Sequence, residues 1–453
     1  MSIRVAIVGA GPAGFYAADR LLRSDQDVRV ELLDRLPTPW GLVRAGVAPD
    51  HPNIKAVTRV YEKTAALEGF HFHGNVEVGT QLTHADLVEH HHAVIYANGA
   101  SRDRQLGIEG EDLPGVVGAT DFVSWYNGHP DAAERQFDLS GKRAVVVGNG
   151  NVALDVARML VLPRDELAVT DTADYAIEAI ANAGIEEVVV LGRRGPAQAA
   201  FTTPELRELG ELTQADVIVD PDEASLDPGS EGWLENAHAT NKKNVQVIQE
   251  YAQRSPEGKP KRVVLRFLRS PLEIHGDANG VTEIVVARNE LKAADDGSMR
   301  ATQTDDTETI SCELVLRSIG YRGTAIDGVP FAGHIATVAH EGGRVIEPDG
   351  TQLPGVYATG WIKRGPTGVI GTNKKCAYET VDHLLEDAAE GKLPEPAKGA
   401  DDFERLLDEL DAVDYEGWGR IDAYERARGE AQGRPRVKIT SAAELLERSR
   451  RSG

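Results

Sequence analysis

The run Ile3-Arg4-Val5-Ala6-Ile7-Val8-Gly9-Ala10-Gly11-Pro12-Ala13-Gly14 reads as a buried strand closing on a glycine turn, and Phe15 to Leu22 continues it as a helix. Gly9, Gly11 and Gly14 stand in the G-x-G-x-x-G spacing. In that spacing the first glycine makes the tight turn and the second lets backbone approach a pyrophosphate. The third lets the helix pack close on the strand. Peptide N–H groups at the helix start then stabilise the phosphate charge. A second strand, Val28 to Leu33, ends in Asp34, whose carboxylate can accept hydrogen bonds from ribose hydroxyls. Strand, glycines, helix and acid in this order predict a dinucleotide site.

The motif recurs. Arg143 to Val147 reads as a strand, and Gly148-Asn149-Gly150-Asn151-Val152-Ala153 follows, with Gly148, Gly150 and Ala153 at the three glycine positions. A helical excursion, Pro163 to Gly184, delays the next strand, Glu187 to Leu191, which ends in Gly192-Arg193-Arg194-Gly195-Pro196. The first copy has Asp34 at this place and the second has two arginines. A carboxylate repels a 2′-phosphate, whereas guanidiniums bind one through charge-assisted hydrogen bonds. Two such folds, one acidic and one basic at the strand end, point to FAD at the first and NADP(H) at the second. The expected fold class is α/β, with two Rossmann-like dinucleotide-binding domains.

A length of 453 residues suits two or three domains. The net charge of −23 argues against nonspecific nucleic-acid binding and against attraction to an anionic membrane. With only Cys312 and Cys376, far apart in sequence, neither a disulfide framework nor a Cys-x-x-Cys pair is available, and no metal site is expected. The first strand follows the initial methionine directly, which leaves no room for a signal peptide, and no apolar run approaches a membrane span. A cytoplasmic protein is expected.

Between the motifs, Arg35 to Pro52 carries four prolines and two glycines, so it is a loop with apolar content. It suits either a packed surface loop or a lid on the flavin with His51 at its edge. Lys55 to Leu67 reads as a helix, Phe70 to Gly79 as a strand and Leu82 to Glu89 as helical. His90, His91 and His92 read as a solvated turn before the strand Ala93 to Ala97. Asn98-Gly99 ends that strand in a form suited to passing close to a cofactor. Beyond the second motif, Thr203 is a candidate N-cap with Pro204 behind it, which places Glu205 and Glu208 on one helical face. Arg262 to Phe267 and Val281 to Arg288 suggest a small mixed sheet, and the basic residues between Lys242 and Arg269 are a candidate docking patch. Near the C-terminus Leu353 to Trp361 is a strand, and a glycine-rich loop leads to a helix expected from Cys376 to Ala389.

Several of these stretches resemble the adrenodoxin-reductase type of ferredoxin–NADP⁺ reductases. They are Gly41-Leu42-Val43-Arg44 through His51-Pro52, Gly148 to Asp155, Gly192 to Pro196, and Gly360-Trp361 with Lys363 to Ile370. The similarity is collinear over nearly the whole chain. It implies an NADP-binding domain, 108–321, inserted into an FAD-binding domain made of 1–107 and 322–453. It also implies FAD contacts at Ala13, Asp34, Leu42, Val78, Trp361, Gly368, Val369 and Ile370, beside Gly9, Gly11 and Gly14. NADP contacts fall at Gly148, Asn149, Gly150, Asn151, Val152, Arg193, Arg194, Glu205 and Gly368. His51 and Glu208 match the catalytic polar pair. The ribose acid is Asp34 where the family often has glutamate. The implied activity is hydride transfer from NADPH to FAD, then single-electron transfer to an iron–sulfur ferredoxin. A monomer is expected. A disulfide reductase would need a cysteine pair this chain lacks. A flavoprotein subunit without independent reductase activity remains the alternative.

Overall fold

The computed structural model describes residues 2–295 and 297–450. These form two compact units. One comprises the residues up to Arg102, Asn127–Ala133 and Tyr321 onwards, and the other comprises Asp103–Tyr126 and Glu134–Gly320. The short return Asn127–Ala133 falls within the span expected for the inserted domain, yet it packs with the first unit. Lys438 Nζ donates to Asn127 Oδ1 at 3.2 Å, and Asp131 pairs with Arg35.

The first unit is built on a seven-stranded sheet. Its order is His340–Glu341, Arg344–Ile346, Gln352–Ala358, Ala93–Tyr96, Ile3–Val8, Val28–Leu33 and Phe70–His73. Ile3–Val8 runs parallel to both neighbours, with Val5 opposite Val30 and Ala93. Covered on both faces, these strands are near-continuous in apolar residues, as parallel strands require. The helix Pro12–Leu22 packs beside Ile370–Ala389, joined at its rim by an Arg20–Asp382 ion pair of 2.7 Å. Phe15 stacks on Tyr61 at 4.8 Å in the core between helix and sheet.

The second unit holds a six-stranded parallel sheet. In order its strands are Val116–Gly118, Leu314–Arg317, Arg143–Val147, Glu187–Leu191, Lys261–Arg266 and Ala215–Val219. A separate antiparallel sheet joins Arg269–Asp277, Gly280–Ala293 and Met299–Ser311. The expected mixed sheet is thus two sheets. Leu268, in a left-handed conformation at φ +56°, turns the chain out of the parallel sheet before the antiparallel one begins.

Other boundaries differ locally. The strand from Phe70 stops at His73, because at Gly74 the backbone passes so close to Leu36 that a Cβ would stand 2.8 Å from its carbonyl oxygen. The helix expected from Cys376 starts at Ile370, six residues earlier, with the Thr372 hydroxyl accepting from the Val369 N–H at 3.3 Å. The cap of Thr203–Leu209 is Thr202, while the Thr203 hydroxyl donates to Asn244 Oδ1 at 2.7 Å. The histidine run is not solvated. His90 and His91 are buried with Nδ1 2.6 and 2.8 Å from the carbonyls of Asp86 and Leu87, and His92 Nδ1 accepts from the Arg4 N–H at 3.0 Å. Helix end and strand start use these rings as packing and backbone partners.

The expected basic patch is also largely consumed by folding. Arg266 and Arg269 both pair with Glu223, at 2.9 and 2.7 Å, and with Glu308, at 2.7 and 3.5 Å. Lys259 Nζ donates to the Leu212 carbonyl at 2.9 Å, and Lys242 Nζ to that of Glu235 at 2.7 Å.

Glu31, buried on the strand Val28–Leu33, lies 2.5 Å from both Arg29 and His73. Burial raises its carboxyl pKa, but His73 and Arg29 outweigh burial and hold it at about 2. A depressed carboxyl stabilises the fold above its unfolded pKa, and that stabilisation is lost as pH falls towards the folded value. Denaturant unfolding should show wild-type protein losing about 3 kcal/mol more between pH 5 and pH 2 than Glu31→Gln. Parallel pH profiles would contradict the pairing.

Candidate dinucleotide sites

In the first unit, strand Ile3–Val8 delivers the chain into Gly9 at φ +110°, where a Cβ would lie 2.6 Å from the Ala97 carbonyl oxygen. The strand end Ala97-Asn98 therefore presses directly on the glycine turn. A Cβ on Gly14 would lie 2.0 Å from the Gly9 carbonyl oxygen, so the helix can seat only with glycine there. At Gly11 a Cβ would meet nothing within 4 Å. The loop thus has one open side, at the glycine through which backbone approaches a pyrophosphate. Ala13 is buried in the first helical turn.

Asp34 ends the neighbouring strand. Its Oδ2 accepts from the Ala10 N–H at 2.9 Å and its Oδ1 from the Leu36 N–H at 3.0 Å, tying it to the glycine loop. Burial raises its pKa against these two bonds. Asp34, Leu36, Thr38, Gly41, Asn127 and His129 line one cavity.

The proline-rich loop lies over the glycine turn. The Trp40 N–H donates to the Ala10 carbonyl at 2.8 Å, and a Cβ on Gly41 would stand 3.0 Å from Gly11 Cα. Leu42 remains 36% exposed beside it. Arg44 anchors the loop from behind through a buried bidentate pair with Glu425, at 2.8 and 2.5 Å. Glu425 also meets Arg436 at 3.0 Å, so the charged C-terminal region, which carries no motif, has a structural task here. His51 is buried at the start of Pro52–Lys55.

Val78, half-buried, makes an isolated bridge to Leu82. Gly368 takes φ +79°, Val369 is 57% exposed, and Ile370 opens the long helix. Among the buried polar atoms of this unit that have no partner among the described residues are Asn98 Oδ1, Trp361 Nε1, and Nε and Nη1 of the Arg364 guanidinium. The family motif predicts Trp361, whereas the sequence gives Asn98 and Arg364 no role, because an orphaned polar group is visible only once its neighbours are known.

The second unit repeats the geometry. Gly148 takes φ +132° with a Cβ position 2.1 Å from the Ser318 carbonyl oxygen, whereas Gly150, like Gly11, faces open space. Val152 is half-buried, and Ala153 is fully buried at the third position. Asn149 Nδ2 is buried without a partner among the described residues. Asn151 Oδ1 accepts from the Thr202 N–H at 2.7 Å, which ties the helix Thr203–Leu209 to this loop. The carbonyls of Arg193 and Arg194 are anchored by Asn289 Nδ2 and the Leu268 N–H, at 2.7 and 3.2 Å. Among the described residues neither guanidinium has a side-chain partner, and burial followed by the charge of Arg193 lowers the Arg194 pKa. Two adjacent cations held at a strand end in this way are chemically matched to a dianion.

Glu205 is buried on that helix and Glu208 is more exposed. The buried Arg158 approaches Glu208 at 3.9 Å and donates to Asp155 at 2.8 Å. Of the expected polar pair, His51 belongs to the first unit and Glu208 to the second.

A family description of pyridine nucleotide-disulphide oxidoreductases matches residues 3–193. The chain is 50% identical over 452 residues to the NADPH-ferredoxin reductase FprA of Mycobacterium leprae, covering 98% of this chain and 97% of the relative. The chain belongs to the NADPH-ferredoxin reductase family. It is also 38% identical over 458 residues to the mitochondrial NADPH:adrenodoxin oxidoreductase of Arabidopsis thaliana, covering 98% and 95% of the two chains. A solved structure, Mycobacterium tuberculosis FprA in complex with NADPH, superposes with a TM-score of 0.94 at 48% identity. That match covers 99% of this chain and 100% of the other. The two glycine loops, each at the end of a parallel strand pair, are therefore those of this reductase family, with two dinucleotide-binding domains.

Proposed function

We propose that the protein is an NADPH:ferredoxin oxidoreductase carrying FAD at the loop Gly9–Gly14 and taking NADPH at the loop Gly148–Asn151. The observation that carries this reading is the pair of open glycine loops with opposite chemistry at the next strand end, Asp34 for one and, for the other, Arg193 and Arg194, whose guanidiniums have no side-chain partner among the described residues. The orphaned groups of Asn98 and Trp361 and the open side of Gly11 suit a bound FAD. When bound, FAD supplies hydride acceptance at N5 and one-electron release to an iron–sulfur centre.

The chain's own residues bind, orient and exclude. Peptide N–H groups after Gly11 and Gly150 hold the diphosphates. Asp34 takes the ribose of FAD, while Arg193 and Arg194 take the 2′-phosphate of NADPH. Leu42, Val78, Trp361 and Gly368 to Ile370 pack on FAD and keep water away. Glu205, with the Gly368 backbone, orients the nicotinamide. His51 and Glu208 orient the reacting groups and hold the associated proton. The electron acceptor is a ferredoxin. A cytoplasmic monomer belongs to the same reading. Among the described residues no helix is long and apolar enough to cross a membrane.

Disulfide chemistry is not supported. Burial pushes the Cys312 thiol up to about 12, whereas a redox cysteine needs a ready thiolate. In the first unit Cys376 is buried and accepts from the Gly360 N–H at 3.3 Å.

The purified chain should be yellow, be reduced by NADPH far more readily than by NADH, and pass electrons to a ferredoxin unaided. A colourless protein, or one that needs a second subunit for ferredoxin reduction, would overturn the proposal. His51→Ala should slow stopped-flow flavin reduction by about 10- to 100-fold and leave NADP⁺ affinity nearly unchanged. An unaltered reduction rate would remove His51 from this role.

A further inference from the structure

The four-residue helix Trp361–Arg364 follows the strand Gln352–Ala358. It brings three N–H donors into the interior with no acceptor among the described residues: Trp361 Nε1, Arg364 Nε and Arg364 Nη1. The remaining Arg364 nitrogen, Nη2, donates to Asn373 Oδ1 at 2.9 Å. Asn373 is buried in the first turn of Ile370–Ala389. Lys363, next in the chain, provides the contrast. It is the more buried of the two, and its ammonium meets Glu379 Oε2 at 2.8 Å, Thr380 Oγ1 at 3.1 Å and the Gly342 carbonyl at 3.2 Å. One cation of this helix is satisfied by the fold, while the other keeps two buried donors idle, an arrangement that is costly unless a ligand fills it.

Position identifies the ligand. A Cβ on Gly360 would stand 3.6 Å from Asn373 Oδ1 and 2.6 Å from Ala13 Cβ, and Gly360 itself takes φ +72°. Arg364, Asn373, Gly360 and Ala13 thus form a line of neighbours that ends on the first turn of Pro12–Leu22, next to the open side of Gly11. The groups left unmet here are all donors, one of them cationic, and they call for a group made of acceptors and negatively charged. Diphosphate oxygens meet both conditions, and a guanidinium can present two donors to them.

We propose that Arg364 is a cationic contact of the FAD diphosphate, added to the peptide N–H groups of the glycine loop. The inference rests on the assignment of FAD to the first loop. Its test is the release of FAD from the holoenzyme, followed by the recovery of flavin fluorescence on dilution. Arg364→Met should release FAD about tenfold faster, with a weaker response to added salt than wild type and an unchanged flavin midpoint potential. Arg364→Lys keeps the charge and loses the fork, so its release rate should fall between the two. If Arg364→Met does not accumulate, Arg364→Lys carries the test, with faster release and a retained salt response expected. Wild-type release rates in both variants would overturn the proposal, as would a shifted potential with unchanged release, since that places the guanidinium at the flavin ring. Wild-type protein that binds no FAD would instead overturn the cofactor assignment beneath it.

Discussion

Replacing Arg193 and Arg194 together by glutamine should raise the KM for NADPH by two to three orders of magnitude and leave that for NADH within about threefold. Each hydrogen bond to a charged group contributes about 1.5–3 kcal/mol, and the two losses overlap because both arginines serve one phosphate. The backbone carbonyls of both residues are already fixed by Asn289 and Leu268, so the substitution removes charge without releasing the turn. Because the 2′-phosphate stays bound through the reaction, its contacts contribute equally to ground and transition states, and kcat should hardly move. Steady-state kinetics with both nucleotides reads the effect directly. Equal losses for NADPH and NADH would mean that the arginines shape the fold instead of reading the phosphate.

Gly14→Ala should produce protein with about a tenth or less of the normal FAD content, seen as loss of the visible flavin bands. The added methyl would stand 2.0 Å from the Gly9 carbonyl oxygen and 3.2 Å from Leu32 Cδ1. Neither the turn backbone nor the buried leucine can yield that distance, so the helix must lift and carry its N–H groups away from the diphosphate. The second loop supplies the comparison, since Ala153 already occupies the equivalent position. Ala153→Gly should cost only the helix preference of alanine, about 1 kcal/mol, and leave the KM for NADPH nearly unaltered. Far-UV circular dichroism distinguishes lost cofactor from lost fold. Full flavin content in Gly14→Ala would show that the close packing of helix on strand is not what seats FAD.

The two dinucleotide folds and the identity of their ligands were legible in the sequence because both depend on local spacing. Three glycines in six residues fix a turn, and Asp34 against Arg193 and Arg194 states the charge each strand end presents. The departures arose where local propensity competes with distant contacts. Phe70 to Gly79 alternates like a strand, but the approach of Leu36 and the left-handed Asn75, at φ +63°, end it at His73. His90 and His91 look polar in sequence and are buried, because the carbonyls of Asp86 and Leu87 satisfy their rings. Arg266 and Arg269 look like a docking patch and are instead neutralised by Glu223 and Glu308, more than 30 residues away in the chain.

By itself the sequence determined which backbone turns can admit a diphosphate and which strand end presents positive charge beside one, since glycine spacing and the sign of a side chain are properties of neighbouring residues. Only the tertiary structure decided which charges remain available after folding. Arg44 is consumed by Glu425, whereas among the described residues the Arg193 and Arg194 guanidiniums have no side-chain partner and Arg364 retains two idle donors. A cation's availability depends on whether the fold brings an acceptor within about 3 Å of it, and that distance is set by packing between segments far apart in the chain.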